Sequence, residues 1–137
     1  MIKIRVINDF PGDMLERIAG FYIEAGWINA GDDFSFLCPA LQGSELVAGA
    51  FDGDMIIGCA RALSDGCSDA YIQDVVVSRE YRGNGIGSRL ICELEKQLRS
   101  RGIDWIALVG EPGTEEFYRK LGWQKKAGFI MWQPGKQ

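Results

Sequence analysis

Not one of the 137 residues is a histidine. That absence removes the imidazole base from any reaction this chain performs, and with it the Ser-His-Asp and Cys-His mechanisms. It also removes the commonest partner of cysteine in zinc sites. The four cysteines, Cys38, Cys59, Cys67 and Cys92, show no C-x-x-C spacing, so no metal is expected and the thiols read as reduced, in a cytoplasmic protein. Missing as well is any apolar run of membrane-spanning length, and "MIKIRV" opens the chain without the apolar stretch of a signal peptide; no membrane partner is expected. Basic residues are outnumbered, 15 Lys and Arg against 19 Asp and Glu, which argues against nucleic acid held through its phosphates. No linker, repeat or low-complexity segment divides the chain, and its length suits one domain, residues 1–137.

What is present alternates between strand and helix signals. "MIKIRVI" sets Ile2, Ile4 and Val6 against Lys3 and Arg5, the period of a half-buried strand. Past Asp9, a proline opens a helix of about four turns carrying Met14, Ile18, Phe21 and Tyr22 on one face. A loop and a short helix near Asp33 to Leu41 follow. "SELVAGAFDGDMIIGCARAL" reads as a hairpin around Asp52-Gly53, and "DAYIQDVVVSRE" as a central strand with its apolar run at Val75, Val76 and Val77. Ile86, Leu90, Ile91, Leu94 and Leu98 then share one helical face. "IDWIALVG" reads as a buried strand, "TEEFYRKLG" as a short helix with Thr114 at its N-cap, and "WQKKAGFIMW" as one or two closing strands. The order predicts a mixed α/β sheet with helices on its faces.

Three glycines, Gly83, Gly85 and Gly87, fall within five positions where the valine strand hands over to a helix. A glycine turn opening a helix aims several backbone N–H groups and the positive end of the helix dipole at one point, which is an anion site. The plain alternative is a tight connection without a ligand. Two phosphate loops fail here. No lysine follows for a P-loop, and a G-x-G-x-x-G fingerprint would need glycine where Ser88 or Leu90 stands.

A third pattern fits. Arg82-x-x-Gly85-x-Gly87 directly after "VVV" resembles the acyl-coenzyme-A signature of the GNAT N-acyltransferase superfamily. About 30 residues on, "EEFYRKLGW" resembles that family's later helix, with Phe117, Tyr118, Lys120 and Gly122 in place and Trp123 in the last position. The element order matches over essentially the whole chain. The layout is also similar to a subgroup that includes arylalkylamine acetyltransferases.

The resemblance implies an α/β (α+β) GNAT fold: a mixed, mostly antiparallel sheet of six to seven strands, splayed between the fourth and fifth, with about four helices. It implies acetyl-CoA as co-substrate, a small-molecule primary amine as acceptor, and direct attack within a ternary complex. Val75, Val76 and Val77 would meet the pantetheine arm. The amides of Gly83, Asn84, Gly85, Ile86, Gly87 and Ser88 would hold the phosphates, with Arg82 adding charge or bracing the loop. Tyr118 takes the place of the acid that protonates the departing thiolate. Asp74 stands beside the proposed bulge, either as base or as a partner for an arginine such as Arg61. Glu24 is a second candidate for the base, on the side where substrate enters, and Trp27 a candidate acceptor contact; a solvated acidic loop with Trp27 in the core is the alternative. Glu111 and Thr114 depart from the family's usual asparagine and alanine.

Two other functions fit the same residues. One is an acyl-CoA sensor without turnover. The other is an interaction protein, or a homodimer, using the tail "GFIMW", whose Phe129 and Met131 serve equally well as core.

Overall fold

The computed structural model describes residues 1–135. Its elements run β1 (Ile2–Val6), α1 (Gly12–Glu24), α2 (Leu37–Gln42), β2 (Leu46–Asp52), β3 (Met55–Ser64), β4 (Asp69–Val77), a single 3-10 turn (Arg79–Tyr81), α3 (Ile86–Ser100), β5 (Trp105–Leu108) and α4 (Glu115–Lys120). The strands form one sheet in chain order. β1 through β4 pair antiparallel, and β4 to β5 is parallel because α3 carries the chain back across one face.

The sheet is covered on both sides, and β2 records this in its side chains. Leu46, Ala48 and Ala50 join Leu90, Ile91, Leu94 and Leu98 of α3 in one core. Val47 and Phe51 join Ile18, Phe21 and Tyr22 of α1 and Leu37 and Leu41 of α2 in the other. A central strand buried on both faces follows from the two-residue period of the strand. All five residues assigned from sequence to the apolar face of α3 are buried. The hairpin turns where Asp52-Gly53 placed it, with Gly53 at φ +62°.

Several expectations need correcting. Among the described residues the sheet has five strands, not six to seven. The segment "WQKKAGFIMW" forms no strand among the described residues: a groove separates it from β5, so its backbone has no edge within pairing reach, and Gly128 at φ +140° interrupts the run. Phe129 and Met131 are accordingly 85% and 83% exposed rather than core. β5 is only half-buried for the same reason, since nothing pairs with its outer edge. Thr114 does occupy the N-cap position of α4, but its hydroxyl donates to the Glu111 carbonyl (2.6 Å) instead of accepting from the helix.

Candidate active site

β4 is nine residues long and β5 four, and they share only four pairs, Asp69–Trp105 through Ile72–Leu108. Beyond Ile72 the β5-facing side of β4 has no strand to pair with. The two strands therefore part, and a cleft of about 320 Å³ opens between Gln73–Val75 on one wall and Leu108, Val109, Glu111, Thr114 and Tyr118 on the other. Trp27 and Tyr71 also line it.

The β4 wall is bent by a bulge. Its pairing with β3 shifts register between Cys59 and Arg61, opposite Asp74 and Val75. Asp74 sits at φ +54°, the one non-glycine residue with positive φ among the described residues. Aspartate tolerates this left-handed geometry better than most residues. Its Oδ2 accepts from Arg61 Nε (2.8 Å) and from the Tyr22 hydroxyl (3.2 Å). Oδ1 accepts nothing from the described residues, so one oxygen is fixed and the other is available. Burial chiefly, then the nearby Cys59 and Asp74, pushes the Tyr22 hydroxyl far above its usual range, so it remains a donor. Burial likewise pushes the Cys59 thiol up to about 12 and keeps it inert. The Arg61 contact anticipated for Asp74 is thus present.

On the opposite wall Tyr118 is half-buried, edge-on to Phe117 and Trp123 at ring-centroid distances of 5.0 and 6.1 Å. Burial first, and the Glu111 carboxylate second, raise its hydroxyl above 10.0. Gly110 sits close to the start of α4: a Cβ there would crowd Thr114 Oγ1 at 3.1 Å, whereas its 3.7 Å approach to Tyr118 Cε2 would be an ordinary contact.

At the end of β4 the chain makes the 3-10 turn and then the glycine turn. Gly83 and Gly85 adopt φ +82° and +75°, with Gly85 as the left-handed N-cap of α3. Ideal Cβ atoms at either would meet no heavy atom within 4 Å, so the backbone needs the glycines for conformation and the space above them is open. No amide from Gly83 to Ser88 donates to an acceptor among the described residues. Those of Ile86, Gly87 and Ser88 are the unpaired first donors of the helix. Arg82 braces the turn, Nε donating to the Val77 carbonyl (3.0 Å), and the Asn84 side chain donates from Nδ2 to the carbonyls of Tyr81 and Arg82. Val76 is buried in the core shared with α1, while Val75 and Val77 pack toward α3.

This pairing of a strand splay with an open, amide-rich turn matches the pattern read from the sequence. The profile of the acetyltransferase (GNAT) family matches residues 13–123. The chain belongs to the GNAT acetyltransferase family. This family takes its acetyl group from acetyl-CoA. Among its GNAT relatives, an uncharacterised N-acetyltransferase of Porphyra purpurea is 44% identical over 82 residues, covering 58% of this chain and 47% of the relative. Serotonin N-acetyltransferase 2 of Oryza sativa, a chloroplastic protein, is 37% identical over 87 residues, 61% of this chain and 44% of that one. The chain spans about half the length of the curated relatives it matches. Among solved structures, a GNAT family acetyltransferase of Streptococcus pneumoniae superposes with a TM-score of 0.80 at 27% identity, covering 99% of this chain and all of the other.

The GNAT cleft gathers Asp74, Val75, Tyr118 and Trp27 from the residues nominated by sequence. It does not gather Glu24, whose carboxylate instead accepts from the Arg79 amide (3.1 Å) and ties α1 to the turn after β4. Sequence reasoning passed over Tyr22, Tyr71 and Gln73. Tyr22 reads as core on its helix, and its contact with Asp74 spans 52 positions that no local pattern links.

No helix among the described residues is long and apolar enough to cross a membrane, and no cluster of metal-ligating side chains appears among them.

Proposed function

We propose that this chain forms one N-acetyltransferase domain that moves an acetyl group from acetyl-CoA to the primary amine of a small molecule. The observation that carries this reading is the cleft itself. Asp74 and Tyr118 face it from opposite walls, and the strand bearing Asp74 runs on into a turn of six unengaged amides. The free thiols of Cys38, Cys59, Cys67 and Cys92 fit a cytoplasmic setting.

Acetyl-CoA supplies an activated thioester. The unengaged amides of Gly83 to Ser88 and the positive end of α3 suit its pyrophosphate. The β5-facing main-chain groups of β4 beyond Ile72, which no strand among the described residues engages, suit the amides of its pantetheine arm, although Val77 offers less because Arg82 already occupies its carbonyl. An amide at the bulge, near Val75, stabilises negative charge developing on the carbonyl oxygen. Asp74 takes the proton of the attacking amine at Oδ1, directly or through one water, while Arg61 and Tyr22 hold the carboxylate still. A base is required because only about a thousandth of an alkylamine is unprotonated at neutral pH. Tyr118 gives its proton to the departing thiolate, and its raised pKa keeps that proton in place until then.

Trp27 and Tyr71 give the acceptor side aromatic walls, and Asp74 and Glu111 give it negative charge. Together they suit an amine with an aromatic body, in keeping with the name of the rice relative.

The test is release of coenzyme A thiol from acetyl-CoA in the presence of a panel of arylalkylamines. Tyr118→Phe should lower kcat about 10²–10⁴-fold while leaving calorimetric acetyl-CoA affinity intact. Tight binding without turnover of any amine would make the protein a sensor instead.

A further inference from the structure

Helix α1 stops in a way that fixes Trp27. The Gly26 amide donates to the Ile23 carbonyl (3.0 Å) and the Trp27 amide to the Tyr22 carbonyl (2.9 Å), with Gly26 at φ +81°. This is the Schellman stop, in which the residue after a left-handed glycine folds back over the last helical turn. Trp27 accordingly meets the Tyr22 ring edge-on, with centroids 5.1 Å apart, and from there it lines the cleft. Tyr22 itself is buried, only 4% exposed. At the far end of the same side chain its hydroxyl donates to Asp74 Oδ2 (3.2 Å). One buried residue therefore touches both an aromatic wall of the cleft and the carboxylate that faces it.

We propose that Tyr22 is a positioning residue, one that sets the distance between the aromatic body of the acceptor and the carboxylate that takes its proton. This rests on the acetyl-transfer reading above and divides two tasks within one side chain. The ring serves recognition through Trp27, and the hydroxyl serves proton transfer through Asp74. Packing alone does not call for the hydroxyl. Tyr22 shares an apolar core with Ile18, Phe21, Leu37 and Leu41, where phenylalanine would fill the same space with no polar atom to satisfy. Burial above all keeps the hydroxyl protonated, so it remains a donor to Asp74.

Arg61 reaches the same carboxylate oxygen from β3 (2.8 Å), and its other side-chain contact, Nη1 to Ser44 Oγ at 3.4 Å, runs to the end of α2. Arg61 thus supplies charge, whereas Tyr22 supplies the tie to the acceptor wall. The other titratable groups around the carboxylate are Cys59 on β3, and Glu111 and Tyr118 across the cleft. A misplacement of about 1 Å between reacting groups can cost a hundredfold in rate. A single rigid side chain spanning recognition and proton transfer prevents it.

Initial rates with phenethylamine and with hexylamine as acceptors test this. Tyr22→Phe keeps the ring and should lower kcat about tenfold for both amines, the worth of one hydrogen bond to a charged group, with KM unchanged. The charged carboxylate loses a donor, so the acid limb of kcat should move to higher pH. Tyr22→Leu removes ring and hydroxyl together, and should add a rise of about 2–10-fold in KM for phenethylamine alone. Trp27→Leu should give that KM rise with kcat and the acid limb in place, which keeps the recognition half testable should Tyr22→Leu fail to fold. In an Asp74→Asn background, Tyr22→Phe should cost less than about twofold further. Full kcat and an unmoved acid limb in Tyr22→Phe would overturn the inference and leave the acetyl-transfer reading standing. So would an equal Tyr22→Phe loss in the Asp74→Asn background. No turnover of either amine by the native protein, folded by circular dichroism, would end both.

Discussion

The two walls of the cleft are held in different ways. β4 is flanked by β3, backed by α3, and pinned at its bulge by Arg61 and Tyr22, so Asp74 has one oxygen fixed by two donors. β5 is four residues long with one edge open, and α4, six residues long, has no fully buried residue. Tyr118 is held there by aromatic neighbours, with no hydrogen bond to its hydroxyl among the described residues. A wall that must bind a long cofactor arm in one register benefits from rigidity. The other wall, whose proposed part is a single hydroxyl beside the departing thiolate, is held by aromatic packing alone.

Substitutions on the two walls test that contrast. The largest effect is expected from Gly85→Glu, which sets a carboxylate where the amides converge and forces a non-glycine residue to φ +75°. Calorimetry should show loss of acetyl-CoA binding with the fold retained by circular dichroism; undiminished binding would detach the glycine turn from the cofactor. Asp74→Asn comes next. Asparagine also accepts positive φ, so the bulge should persist while kcat falls about a hundredfold and acetyl-CoA affinity holds. A matching loss of affinity would mean that Asp74 shapes the cofactor slot instead.

Behind the β4 wall, Leu94→Ala empties a fully buried position and should cost about 2–5 kcal/mol in denaturant unfolding. Phe129→Ser, at a side chain 85% exposed, should change stability by less than about 0.5 kcal/mol. Equal costs would erase the distinction between the sealed sheet and the open end. The smallest effect belongs to Glu111→Gln. Its carboxylate is the lesser cause, after burial, of the raised Tyr118 pKa. Tyr118 must be protonated to act, so activity is retained below its pKa and lost as pH rises through it. Removing the charge should move the alkaline limb of kcat to lower pH, with burial left as the cause that keeps the Tyr118 pKa raised.

Much of this was legible in the chain because it rests on local rules. The face of α3 is a 3.6-residue period, the hairpin is a turn dipeptide, and the glycine turn declares itself by three residues that alone adopt its backbone freely. Tyr118 was legible only through its block, since a tyrosine on an amphipathic helix otherwise reads as packing. The strand count was not legible. "GFIMW" has strand composition, but a strand exists only where an edge lies within hydrogen-bonding reach, and composition does not supply an edge.

The sequence by itself determined the glycine turn, the helix behind it, the lack of any imidazole chemistry, and the family. Tertiary structure alone decided what surrounds Asp74. The carboxylate draws its two donors from β3 and from α1, 13 and 52 positions away, and its backbone conformation comes from a bulge that exists only once β4 is paired with β3. Periodicity reaches a few residues along the chain, whereas the charge and geometry of a site are set by whatever folding brings within about 4 Å.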